Sequence, residues 1–266
     1  MENRWKEVAN PHNPLDHIGL THNELLDYMF ENSEKWVTRG TVLPSRMFSV
    51  LIERIGELQS TSSKEQNPLL QLARRQYMAM HAVTILDSKV PLKGLCESIG
   101  LSEKSTLLIL QMDEQISKAF SRSGVPHAVS SLIAIEEQLL KEMGVRSSAC
   151  DTRDILTANP EAVLLLGASS VARFSIGYWT SEPKRNEGPF HVFLGQFGED
   201  GPVALAKWNE DQTSKADFAG AVAGGVGGAI AGAITGPGVA VVALGGYLSG
   251  LVGASVQDVI TQLLGW

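Results

Sequence analysis

His12, His17 and His22 stand five residues apart near the start of the chain, with Asp16 beside the middle one. Imidazole and carboxylate are metal ligands and acid–base groups, so Asp16 with His22 is the one pairing here from which a metal-dependent enzyme could be built. The spacing works against it. Two side chains on one helix share a face at i,i+3 or i,i+4, and Asp16 and His22 converge only if the turn between them folds back. The competing reading is structural: Asn13, Asp16, His22 and Asn23 form a side-chain-to-backbone network that fixes an opening turn, ended by Gly19.

Elsewhere the chemistry is thinner still. Gly167-Ala168-Ser169-Ser170 is no nucleophile elbow, because Val171 stands where that turn needs glycine. Gly225-x-Gly227 lacks the third glycine of a dinucleotide fingerprint, its place being taken by Ile230. Cys96 and Cys150 form no metal or redox spacing and read as two unpaired thiols. His81 and His127 are isolated, and the methionines at 29, 47, 78, 80, 112 and 143 read as core filler. We therefore expect no catalytic, cofactor-binding or metal-ligating residue, and no enzyme.

The elements that must position these residues are helices. Asn13-Pro14 reads as an N-cap followed by proline, and Thr21-x-x-Glu24 as a capping box opening a helix that buries Leu25, Leu26 and Met29 and runs toward Trp36. Pro44 opens a segment with Met47, Val50, Leu51, Ile55 and Leu58 at helical period, and Asn67-Pro68 opens another. Val90-Pro91 and Gly100 mark a connector. Ser102 caps a helix with Leu107, Leu108, Leu110, Met112, Ile116 and Phe120 inward; Gly124-Val125-Pro126 breaks it, and a helix from Pro126 to Met143 follows, closed by Gly144. Asn159-Pro160 starts the most apolar helix outside the tail. The composition then shifts toward charge, proline and glycine, and Phe190–Leu194 with Val203–Ala206 suggest a small β-hairpin. The predicted class is all-α: a helical domain over 10–180, a connector over 181–215 and a glycine-rich helical hairpin over 216–266.

The hairpin rests on composition. Residues 218–257 are 40 in number and carry no charge, bracketed by Asp217 and Asp258. Gly220, Gly224, Gly228, Gly232 and Gly236 recur every fourth residue, a seam that lets helix backbones approach closely. Gly236-Pro237-Gly238 divides the stretch into halves of 18 and 19 residues, and Gly246 and Gly250 resume the spacing. Each half is about 27–28 Å long as a helix, close to the roughly 30 Å of a hydrocarbon core.

Asn13-Pro14-x-Asp16-x-x-Gly19-x-x-His22-Asn23-x-x-Leu26 is similar to the opening motif of a family of uncharacterised bacterial proteins. Those proteins also carry a Ser-Val-Ala-Arg-like helix ending in Tyr-Trp, matched here by residues 170–179, and an Ala-Asp-x-x-Gly-Ala segment before a glycine-rich tail, matched by 216–221. The resemblance touches both ends of the chain and implies no established activity. The tail resembles those of class II bacteriocins, which are membrane-active peptides.

A net charge of −7 and a pI near 5.4 argue against nucleic acid as a partner. The charged N-terminus shows no signal peptide, so we expect cytoplasmic synthesis. Three readings of the tail stay open. It inserts in a bilayer, making a bacteriocin-like or toxin-like protein; it is buried in the core of an all-α structural or protein-interaction protein; or its seam joins copies in a homo-oligomer. The first half is weakly apolar: Phe218, Val222, Val226, Ile230 and Ile234 contribute roughly −2 kcal/mol to insertion. The second half, with eight valines and leucines, suits lipid better.

Overall fold

The computed structural model describes residues 5–59, 91–98, 100–121, 124–143, 159–182, 188–198, 208–235, 254, 256 and 258–262. Helices account for nearly all of it. They are α1 (Asp16–Glu31), α2 (Pro44–Gln59), α3 (Leu92–Ser98), α4 (Glu103–Ala119), α5 (Gly124–Glu142), α6 (Pro160–Ser181), α7 (Pro189–Gly195) and α8 (Glu210–Thr235). Residues 258–262 are again helical. A two-stranded antiparallel ribbon, β1 (Val37–Thr38) and β2 (Thr41–Val42), lies between α1 and α2. The class is all-α with one small β-hairpin.

α6 is the axis. Its 22 residues are apolar on nearly every side, so it must be surrounded to be stable in water. α1, α4, α5 and α8 all pack on it. Asn159 opens it as expected, its side chain accepting the Ala162 amide at 3.1 Å, with proline following. Asn159 is exposed and this is its capping bond, so Asn159→Ala should cost about 0.5–2 kcal/mol of stability in denaturant titration. No measurable loss would show that packing alone places the start of α6.

Two hydrophobic cores flank this axis. One gathers Leu25, Leu26, Met29 and Phe30 of α1, Met47, Val50, Leu51 and Ile55 of α2, and Tyr178 and Trp179 of α6. Its aromatic centre is a chain of ring contacts through Trp36, Phe30, Phe190, Phe193, Trp179 and Trp208, with centroids 5.1–6.1 Å apart. The other core joins Ile109, Met112 and Ile116 of α4 and Leu132, Leu139 and Leu140 of α5 to Val163–Leu166 and Val171.

Several expectations are corrected. α1 is one continuous helix from Asp16, with Gly19 inside it, so no turn ends there. The capping box at Thr21 does not form; the Thr21 hydroxyl instead donates to the His17 carbonyl at 2.8 Å, as a mid-helix threonine does. Asn13 is not the N-cap, which is Leu15; it lies two residues before that cap and accepts the Leu15 amide at 2.9 Å. On α4, Leu107 is 55% exposed while Ile109 is buried; Met112 and Ile116 are buried as expected. Phe190–Leu194 is helical, not a strand: Gly188-Pro189 starts a turn in which Phe190, Phe193 and Leu194 fall on one buried face. The other proposed arm, 203–206, lies outside the described residues, as do the helix at 67–86, Gly144, Cys150, His81, Met78 and Met80.

The ribbon that does form, at 37–42, was missed. Arg39 (φ 52°) and Gly40 (φ 71°) both occupy the left-handed region, the conformation of a two-residue hairpin turn. Flanking Val and Thr on both sides supplied the strand signal.

Candidate functional site

The polar residues of the N-terminal motif are buried, and they face α6. Asn13, His22 and Asn23 are 3%, 0% and 0% exposed. The Asn13 amide donates to the Leu166 carbonyl at 3.0 Å, and the Asn23 amide to the Phe174 carbonyl at 3.0 Å. Between them Gly19 lies flat against α6. Its amide donates to Ser170 Oγ at 3.1 Å, and Ser170 in turn donates to the Asp16 carbonyl at 3.0 Å. A Cβ on Gly19 would lie 2.6 Å from the Ser170 carbonyl oxygen and 2.5 Å from the Phe174 ring. Glycine is required here by close approach, not by backbone conformation.

Asp16 and His22 part company at this interface. Asp16 meets Arg173 of α6 and accepts the Asn10 amide at 3.0 Å. Arg173 is wholly buried and fully engaged: Nε donates to Glu136 at 3.0 Å, Nη2 to Asp16 and Nη1 to the Val8 carbonyl. Glu136 also accepts from the Asn10 side chain at 2.6 Å. Burial pushes the Glu136 carboxyl above the usual carboxylate range, opposed by the Arg173 charge and the Asn10 bond. Arg173 thus ties the segment before α1 to α5 and α6.

His22 belongs to a second group, one turn further along. Its Nδ1 lies 3.0 Å from Asn23 Oδ1, and its Nε2 lies 3.6 Å from Asp217 Oδ2. Asp217, on α8, accepts from the Ser175 hydroxyl and, at 2.7 Å, from the Trp179 indole. Serine, histidine and aspartate therefore meet, but not as a hydrolytic triad. Ser175 donates to the carboxylate rather than to the imidazole, and all three residues are 0% exposed, so no substrate reaches them. His12, His17 and His127 are exposed. Among the described residues no group of three His, Cys, Asp or Glu is placed to hold a metal ion.

The tail begins inside this framework. Phe218, Ala221 and Val222 are buried in the core built on α6, and Val256, Val259 and Ile260 in the aromatic one. Of the glycine seam, Gly220 and Gly224 are buried and Gly228 and Gly232 continue α8; Gly236, Gly246 and Gly250 lie outside the described residues. A clasp closes the base. Asp258 accepts from Thr213 Oγ1 at 2.8 Å, Gln212 at 3.0 Å and Gln262 at 2.5 Å, while Gln262 accepts the Asn209 amide at 2.6 Å. Trp208 donates to Thr213 at 2.8 Å. Burial, and then the nearby Asp217, push the Asp258 carboxyl up, against the pull of its three donors.

Three stretches that the sequence offered separately, 13–23, 170–179 and 216–221, thus meet at one place. Sequence reasoning missed Arg173, Glu136, Ser175 and Asp217 as their partners. A signal existed: Arg173 is the one charge in the middle of a helix that is otherwise apolar, and Asp217 is the last charge before the uncharged stretch. No family model matches the chain, and no curated protein or solved structure gives a significant match.

Proposed function

We propose that this is a non-catalytic, membrane-interacting protein, toxin-like or bacteriocin-like in action, whose helical body carries the glycine-rich tail and delivers it to a bilayer. The observation that supports this reading is the clasp. Asn209 with Gln262 and Thr213 with Asp258 are pairs centred between Thr235 and Gly236, where α8 ends and the Gly-Pro-Gly sequence begins. The clasp therefore sets the start of α8 beside residues 258–262, and the 40 residues between Asp217 and Asp258 carry no charge. Paired helices satisfy their own backbone groups, and a glycine seam lets them stay paired while Val, Leu and Ile meet lipid.

A second reading has its own support. Phe218, Ala221 and Val222 already share a core with α6, which favours a hairpin that belongs to the protein's interior. The apolar helix of sufficient length among the described residues, Glu161–Ser181, is itself 94% buried and serves as that core's axis.

A charge placed in the tail separates the two. Ending the chain at Lys215 would strip both cores of residues they use, so Ile230→Glu is the cleaner variant. A carboxylate at mid-bilayer costs about 2.5–3.5 kcal/mol, roughly a hundredfold in partition. The expected result is that the full chain floats with phosphatidylcholine vesicles and releases trapped dye, whereas Ile230→Glu stays in the aqueous fraction with an unchanged melting temperature. A full chain that never floats, with an Ile230→Glu variant that no longer folds, would establish the interior reading.

A further inference from the structure

We infer that residues 5–10 are a strap seated in a groove of α6, and that the strap opens as a unit while the helices beneath it stay folded. Arg173 and Gly177 lie one turn apart on α6 and share a face. A Cβ placed on Gly177 would meet Val8 Cγ1 at 3.1 Å, Val8 Cγ2 at 3.4 Å and Trp5 Cε3 at 3.6 Å, so the nearest atoms outside the local backbone all belong to the strap. The missing side chain is what leaves room for it. Beside Gly177 the Trp5 ring stacks on Tyr178, with centroids 5.8 Å apart. One turn back, Arg173 Nη1 donates to the Val8 carbonyl, and the Asn10 side chain donates to Glu136 at 2.6 Å. Trp5, Val8 and Asn10 are buried against this seat, whereas Lys6 and Glu7 face water.

The strap is built to move separately. The Val8 and Ala9 amides both donate to the Trp5 carbonyl at 3.1 Å, closing a turn of its own. It reaches the body through side chains, the Val8 carbonyl and the Asn10 amide, which donates to Asp16 at 3.0 Å. Pro11 and His12, both exposed, link it to Asn13, which is fixed to the Leu166 carbonyl. Opening therefore runs from residue 5 to that link and stops at Asn13. A segment resting on a few contacts opens locally, ahead of global unfolding. The charges beneath are not stranded by it: Arg173 keeps Glu136 and Asp16, and water takes the places of the Val8 carbonyl and the Asn10 side chain. With the strap down, Glu136 and Arg173 are 0% exposed. With it up, solvent reaches both. The vacated groove then accepts a peptide with an aromatic ring, a branched aliphatic side chain three residues on and a carboxamide two further, the pattern of Trp5, Val8 and Asn10.

The strap stands apart from the fate of the tail, and its test involves no membrane. In the full chain, hydrogen exchange at the Val8 and Ala9 amides should run roughly tenfold or more ahead of the amides of α6. Exchange of both in one step overturns the strap. The groove is tested in trans. A full-length Trp5→Ser, Val8→Ser chain has a weakened strap, and a synthetic peptide of residues 5–12 should raise its melting temperature saturably by about 2–4 °C. Adding Gly177→Leu fills the seat and should abolish the rise. A peptide without effect, or an equal rise with Gly177→Leu, overturns the groove. Should the doubly substituted chain fail to fold, Gly177→Leu alone decides. It should speed exchange at Val8 and Ala9 and leave α1 and α6 as protected as in the wild type; unchanged exchange at Val8 and Ala9, or protection lost from α1 and α6 as well, overturns the proposal.

Discussion

Arg173→Met should destabilise the protein by about 3–5 kcal/mol, the cost of leaving a buried carboxylate without its partner. Glu136 is 0% exposed and would keep the Asn10 bond but lose its cation. Asp16 would lose the contact that holds the start of α1 to α6, and the Val8 carbonyl its donor. The defect should depend on pH with a definite sign. A carboxyl whose folded pKa lies above its unfolded value contributes stability that is present below the unfolded value and lost as pH rises through the folded one. Burial already raises Glu136; without the Arg173 charge it rises further. Arg173→Met should therefore be mildest near pH 4 and worsen toward neutrality, and Arg173→Met with Glu136→Gln should recover much of the loss. Denaturant titrations of both variants at two pH values check this; a loss independent of pH would mean that guanidinium packing, not charge pairing, matters here.

Gly19→Ala is the second large effect, although it adds a single methyl. That methyl would overlap the Ser170 carbonyl oxygen, at 2.6 Å, and the Phe174 ring, at 2.5 Å. The ring can turn, but the carbonyl is backbone in the middle of α6 and cannot. α1 must then lift, stretching the Asn13–Leu166 and Asn23–Phe174 hydrogen bonds on either side. Overpacking costs about 1–3 kcal/mol, and each stretched bond adds about 1 kcal/mol. A total near 3–5 kcal/mol is expected, read as a lower denaturation midpoint. A neutral Gly19→Ala would mean that α1 and α6 do not approach this closely.

The helices were legible where caps and period agreed, as at Pro44, Ser102 and Asn159. They were misread where a polar residue had a tertiary task. Asp16, His22 and Asn23 carry the letters of a cap and an opening turn, and local spacing offers no sign that their partners lie on α6 and α8. Thr21 and Glu24 spell a capping box, yet the helix is already under way five residues earlier, and burial of Ile18 and Gly19 decides its start. On α4, leucines at 107, 108 and 110 crowd the sequence and hide the true face, which runs through Thr106, Ile109, Met112 and Ile116. The ribbon at 37–42 failed for brevity: two residues per strand is too short for alternation to show.

The bonds from the N-terminal motif to α6 have a consequence for synthesis. Asn13 and Leu166 are separated by 153 residues, and Asp16 and Arg173 by 157. At a ribosomal pace of about 5–20 residues per second, roughly 8–30 s pass between the emergence of the motif and that of its partners. During that interval α1 can coil, but the amides of Asn13 and Asn23 have only water to bond, and its apolar face has no core to enter. Closing so long a loop is what slows folding in chains dominated by distant contacts. The nascent chain must keep α1 waiting, so that helix, with the aromatic cluster it later completes, is a surface a ribosome-associated chaperone would meet.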